Sequence, residues 1–146
     1  MKPWADLIAG EMLVEEPDEL LWRQVHPTWV EDGIPTSQAF KPATADEDKP
    51  SVARSSVHTA EEAYRWHTET AERKSVGTWG VEVGECVIEA RLRVVDDSRA
   101  QDAPPTRSPA HAYLDFRSHT KGEVKLAGAA LLAAALRRGQ VYAPPS

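Results

Sequence analysis

The segment TKGEVKLAGAALLAAALRRG, Thr120 to Gly139, constrains the fold more than any other part of this chain. Thr120 and Glu123 have the spacing of a capping box, and Gly139 permits a left-handed cap at the far end. The pattern predicts one helix that is apolar almost all round, but the apolar run is shorter than the roughly 20 residues that cross a bilayer. We expect this helix to be buried within the fold, with contact to a partner as the alternative.

Alternating apolar residues predict the sheet that would cover this helix. Trp79, Val81 and Val83 share one face of an extended segment. The apolar positions that follow are shifted by one residue: Cys86, Ile88, Ala90, Leu92 and Val94. An extra residue would return both sets to one face, so the sequence predicts a bulge or a break near Gly84. The later segment HAYLDFR is typical of another strand.

The first half of the chain predicts shorter elements. The segment LLWRQVHP, Leu20 to Pro27, alternates as a strand does, and SVARS, Ser51 to Ser55, indicates a second brief strand. Thr59 and Glu62 form a second capping-box pattern that predicts a helix. Strands, helix, strands and helix in this order are typical of an α+β fold, a mainly antiparallel sheet with two main helices packed against it.

Length and charge narrow the class of protein. The 146 residues suit a single globular domain, 1–146, and we expect a loosely structured segment up to about residue 19, because Pro17 interrupts it. The start of the chain lacks the long apolar run of a signal peptide, and one cysteine cannot form an internal disulfide, so we expect a cytoplasmic protein. A net charge of -6 disfavours nucleic acid as a partner, and no segment suggests a membrane.

Familiar catalytic and metal-binding motifs are absent from the sequence. The five histidines include no His-Glu-x-x-His pair and no His-x-His pair, so we expect neither a metal nor a cofactor, with a metal site assembled from distant residues as the alternative. Cys86 lies in an apolar segment, where thiols are usually inert. Glu82, Glu85 and Glu89 are expected on a solvent-exposed face, with an acid–base pair beside a cleft as the alternative.

One resemblance concerns the first half of the chain. The sequence segments RQVHP, TSQAFKP and SV lie ahead of an acidic helix, and in this arrangement the chain resembles a group of small bacterial proteins with no assigned activity. The resemblance implies a bacterial origin and transfers no function.

Arg23 is the residue whose role divides the hypotheses. A guanidinium between Leu21 and Val25 on a strand face needs an anionic or carbonyl partner, either within the chain, such as Glu62 or Asp115, or in a bound ligand. We favour the first hypothesis, a non-enzymatic accessory module that binds another protein through Trp29 and Trp66.

The alternative is a small enzyme or ligand-binding domain for an anionic or nucleotide-like compound. Its site would combine four side chains: Arg23, His26, Arg54 and Glu62. This combination of an early strand arginine with a later glutamate is distantly similar to compact ADP-ribosyl-transferring toxins. The sequence leaves the oligomeric state open.

Overall fold

The computed structural model describes all residues, 1–146, and its centre is a six-stranded antiparallel sheet. The strands are β1 (Met12–Leu13), β2 (Leu20–Gln24), β5 (Ser51–Arg54), β6 (Thr78–Glu82), β7 (Arg93–Asp96) and β8 (His111–Asp115), and they lie side by side in the order β1-β7-β8-β5-β2-β6. Two further short strands, β3 (Val30–Glu31) and β4 (Ile34–Pro35), pair as a separate hairpin. With the helices described next, this arrangement confirms the predicted α+β class.

Both predicted helices form, and both capping boxes are present. Helix α1 spans Ala60–Arg65 and continues into a π-helical turn at Trp66–Thr70, while α2 spans Lys121–Arg138. In each box the threonine hydroxyl accepts from the glutamate amide, and the glutamate carboxylate accepts from the threonine amide. At the far end of α2, Gly139 takes a positive φ of 84°, but its ψ of 172° lies outside the left-handed helical region, so the expected left-handed cap does not form. Local hydrogen bonding therefore fixes the start of each helix, and such bonding can be predicted from sequence.

The two helices cover opposite sides of the sheet. Helix α2 packs against β6 and against a 3-10 turn at Ser37–Phe40, so its burial within the fold is confirmed. Its buried residues are small or aliphatic: Ala127, Gly128, Leu131, Ala134 and Ala135. On the other side, Ala60 and Ala63 of α1 pack against Trp22 of β2.

The predicted interruption near Gly84 is a break and not a bulge. Strand β6 ends at Glu82, and residues 85–89 form a π-helical turn, which we call the 85–89 turn. Burial there follows a helical period, so Cys86 and Ala90 are buried, whereas Ile88 is 77% exposed. The inward position predicted for Ile88 from strand alternation is wrong for this reason.

The segment 1–19 contains little regular structure, yet it is attached along its length. Lys2 N donates to Ser118 O at 2.9 Å, and Val14 N donates to Val94 O at 2.9 Å. Strand β1 pairs with β7 between these two points. No helix in the structure has both the length and the apolar character needed to span a bilayer.

Candidate functional site

Arg23 projects from β2 into the layer between the sheet and the Ser37–Phe40 turn. Its Nε donates to Ala39 O and its Nη1 to Ser51 O, both at 2.7 Å, while Nη2 is buried and makes no hydrogen bond to protein. The guanidinium also lies 5.0 Å from the Trp29 ring centroid. Burial lowers the pKa of Arg23 to about 10, against the opposing effect of Asp46, so the side chain stays charged at neutral pH. Its partners are carbonyls, and it joins the turn to β5.

The structure brings only some of the residues of the ligand-site hypothesis together. His26 follows β2, and its ring lies 5.8 Å from Trp29, which also contacts Arg23. Arg54 is held elsewhere, by both carboxylate oxygens of Glu19 at 2.7 and 3.0 Å and by Asp96 at 2.8 Å.

Glu62 is also apart from Arg23. It is exposed and caps α1, which covers the side of the sheet opposite Arg23. The geometry therefore separates Glu62 and Arg54 from Arg23 and His26.

The two tryptophans proposed for partner binding are half-buried against their own chain. Trp29 lies beneath Arg23, and Trp66 lies 6.0 Å from the ring of His58. Part of each indole is therefore already used in intramolecular packing.

We expect the protein to lose stability in acid because of His67, which lies in the π-helical turn after α1. Burial lowers its pKa from 6.5 to about 4, and the charges of Arg23 and Arg73 act in the same direction. Between these two pKa values the unfolded chain binds a proton that the folded chain does not. The contribution of His67 to the free energy of unfolding is therefore fully present above pH 6.5 and is lost as the pH falls toward 4. Urea unfolding of wild type and His67→Gln at pH 7 and 4.5 should show wild type losing about 1 to 2 kcal/mol more. Equal losses in both proteins would rule out this role.

Other reactive groups singled out from the sequence are held in structural contacts. Cys86 is fully buried, and burial raises the pKa of its thiol well above the usual range. Glu82 and Glu85 receive hydrogen bonds from Arg138 at 3.0 and 3.2 Å. These contacts join the end of α2 to the end of β6.

An apolar groove of about 510 Å³ lies at one end of the sheet. It forms where the N-terminal segment, the 85–89 turn and β7 meet, and we call it the apolar groove. Its lining is Trp4, Leu13, Val14, Glu15, Pro17, Val83, Gly84, Val87, Ile88, Leu92, Arg93 and Val94. Four of its apolar side chains are notably exposed: Trp4 by 38%, Leu13 by 41%, Val87 by 45% and Ile88 by 77%. Exposed apolar side chains gathered in one concave surface are typical of an interaction site.

Ion pairing fixes one wall of the apolar groove. Arg93 donates through Nε to Asp115 at 2.7 Å, and its guanidinium lies 5.1 Å from the Trp4 ring centroid. Asp115 is fully buried and also binds Arg117. Burial alone would raise the pKa of Asp115, but hydrogen bonds from Arg117 and Arg93 outweigh it and lower the pKa below its usual value. Trp4 is therefore placed by a charged network that continues into the sheet.

A smaller cavity of about 330 Å³ lies between residues 89–91 and the first turns of α2. His119 lines it, and the His119 ring lies 6.2 Å from that of Trp4. Leu126 of α2, which is 72% exposed, also lines it. The exposed apolar surface thus extends from the groove toward the first turns of α2.

The charges around the apolar groove are mainly negative. Glu15 lines it, Glu16 and Asp18 flank Pro17, Glu89 follows Ile88, and all four are exposed. Arg93 is already paired with Asp115, which leaves Arg91 as the exposed positive residue of the 83–94 segment. A ligand with positive charge on either side of apolar groups would complement this surface.

Reading the sequence by strand alternation missed the groove residues. The one indication in the sequence was the shift of the apolar positions by one residue around Gly84, because a helical turn explains this shift as well as a bulge does. No protein-family model matches the chain, and neither a curated protein nor a solved structure matches it.

Proposed function

We propose that this protein is a protein-binding accessory module of a bacterial cytoplasmic system, and that its partner docks in the apolar groove. The main support for this proposal is a cluster of exposed apolar side chains in one concave surface, formed by Trp4, Leu13, Val87 and Ile88. These residues replace Trp29 and Trp66 as the proposed contacts. The bacterial origin is proposed from the resemblance in the first half of the chain.

The chemistry of the groove indicates the chemistry of the partner. Burying one large aliphatic side chain contributes about 1.5 to 3 kcal/mol, so two or three anchors can offset the cost of ordering a short segment. The acidic rim adds attraction for lysine or arginine. We therefore propose a partner segment with aliphatic or aromatic anchors flanked by basic residues.

The alternative site for an anionic or nucleotide-like compound has less support. Arg54 is bound by Glu19 and Asp96, and Glu62 caps α1 on the other side of the sheet. An ADP-ribosyl-transferring arrangement needs the arginine and the glutamate at one site. The contacts of the apolar groove therefore favour protein binding.

Ile88→Asp is expected to abolish partner binding without unfolding the protein, because the side chain is exposed and an added carboxylate opposes apolar docking. Short random peptides would be selected on wild type, and their affinities measured by titration calorimetry against wild type and variant. We expect enriched peptides with apolar anchors and basic flanks, and affinity about ten-fold or more weaker for Ile88→Asp.

The matched control is Ile34→Asp, since Ile34 is 56% exposed but lies in the β3–β4 hairpin, outside the groove. The control should bind as wild type does. Equal binding to all three proteins would remove the apolar groove as the docking site.

A further inference from the structure

Three polar side chains form a hydrogen-bonded chain on the side of the sheet away from α2. His111 Nδ1 lies 2.5 Å from Asp97 Oδ1, and His111 Nε2 lies 3.0 Å from Ser51 Oγ. The residues come from β5, β8 and the loop after β7, which are neighbours in the sheet. None of the three lines the apolar groove. We call this arrangement the Ser51–His111–Asp97 chain.

The sheet register explains how the three side chains meet. Ser51 is paired with Tyr113, and His111 with Ala53, so Ser51 and His111 are diagonal neighbours on one face. Such neighbours lie within reach of a long side chain, and the small Ala53 leaves room for the imidazole to lean toward Ser51. Asp97 directly follows Asp96, the last residue of β7, which pairs with Ala112. The contact thus follows from strand order.

The Asp97 carboxylate determines which nitrogen of His111 carries the proton. A carboxylate oxygen can only accept, so Nδ1 donates to it, and in the neutral ring Nε2 is left as the acceptor facing Ser51. The Ser51 hydroxyl then donates to Nε2. This is the tautomer and direction required when histidine acts as the general base for a serine nucleophile.

Asp97 and Ser51 are themselves held in place. Arg107 pairs with Asp97 Oδ2 at 3.2 Å, and Asp97 is only 7% exposed. Arg23, on the neighbouring strand β2, donates to the Ser51 backbone carbonyl at 2.7 Å. The Ser51 side chain nevertheless faces solvent, and His111 is half-buried. The orienting acid is therefore enclosed, while the hydroxyl is accessible to a substrate.

A positive charge lies near the residue that is paired with Ser51. Lys49 precedes Ser51 by two residues, and its Nζ lies 5.4 Å from the ring centroid of Tyr113, the residue opposite Ser51. A cation in this position favours negative charge that develops on a carbonyl oxygen during attack.

We propose that Ser51, His111 and Asp97 form a serine-nucleophile site that hydrolyses small carboxylic esters. Ser51 Oγ bonds to the carbonyl carbon and its proton passes to His111 Nε2. The bond from that carbon to the leaving alcohol then breaks, and the departing alkoxide takes the proton. Water attacks the acyl-serine ester by the same route and releases the carboxylic acid, which regenerates Ser51. Asp97 is a positioning residue that orients His111 throughout.

The test uses a fluorophosphonate probe on the full chain, with intact-protein and peptide mass spectrometry to find the modified residue. Wild type should gain one adduct at Ser51 with loss of fluoride, and Ser51→Ala should gain none. His111→Gln removes the base and should slow labelling about 100-fold or more. Lys49→Met should slow it by a smaller factor while leaving the adduct at Ser51. Hydrolysis of p-nitrophenyl acetate should follow the same order.

Ser56→Ala is the matched control, because the Ser56 hydroxyl donates to the Glu19 carboxylate at 2.7 Å and not to a histidine. This variant should be labelled as fast as wild type. Thermal unfolding of each variant checks that the fold is retained. Absence of an adduct on folded wild type, or an unchanged rate in folded His111→Gln, would overturn the proposal.

Discussion

Replacing Arg23 by alanine is expected to destabilise the protein by about 3 to 5 kcal/mol. The change leaves the carbonyls of Ala39 and Ser51 without their donor and opens a cavity beside Trp29. Because stabilities of single domains are typically about 5 to 15 kcal/mol, the effect is a large part of the total. Urea unfolding of wild type and variant at neutral pH measures it.

Two further variants separate the causes of this loss. Arg23→Met fills much of the same volume without donors, so it should recover part of the stability and leave a deficit of about 1 to 3 kcal/mol. Arg73→Ala, at an exposed arginine, should change stability by less than about 0.5 kcal/mol. A methionine variant as stable as wild type would show that the two hydrogen bonds contribute nothing net.

Asp115→Ala is expected to cost about 2 to 4 kcal/mol. The carboxylate is fully buried and accepts from Arg93 Nε at 2.7 Å and from Arg117 Nε at 2.9 Å. Its removal leaves two guanidinium groups, each only partly exposed, without their anionic partner. Because Arg93 also contacts Trp4, the variant should release Trp4 and weaken peptide binding in the apolar groove.

The control for Asp115 is an exposed ion pair of similar geometry. Glu61 and Arg65 pair at 2.7 Å on the surface of α1, one helical turn apart. Glu61→Ala should cost less than about 0.5 kcal/mol because solvent screens the pair. Chemical denaturation compares the two variants, and equal losses would contradict the account of Asp115 as a buried anchor.

The parts of this fold that were predictable from sequence depend on local interactions. The capping boxes at Thr59 and Thr120 join residues three apart, so their spacing predicts both helix starts. Alternation also located β2, β5, β6, β7 and β8 and the interruption near Gly84, but it did not predict β1 or the β3–β4 hairpin. It could not distinguish a bulge from the 85–89 turn, because both shift the apolar register, and so the exposure of Ile88 was missed.

The candidate sites depend on contacts that are distant in sequence. Trp4 contacts Arg93 only because β1 pairs with β7. Arg23 binds backbone carbonyls, and because every residue type has one, the sequence does not identify these partners. The Ser51–His111–Asp97 chain needs β5, β8 and β7 to be adjacent, although they follow a different order in sequence. Only the strand order brings these residues together.

Mapping a selected peptide onto the protein by NMR is the measurement that tests protein binding through the apolar groove most directly. Amide chemical shifts would be followed while the peptide is added to isotopically labelled wild type. Docking in the apolar groove predicts the largest changes at Leu13, at Val14 and at residues 83–94, with none in the β3–β4 hairpin. Changes centred on Trp29 or Trp66 would contradict it and return the partner surface to those tryptophans.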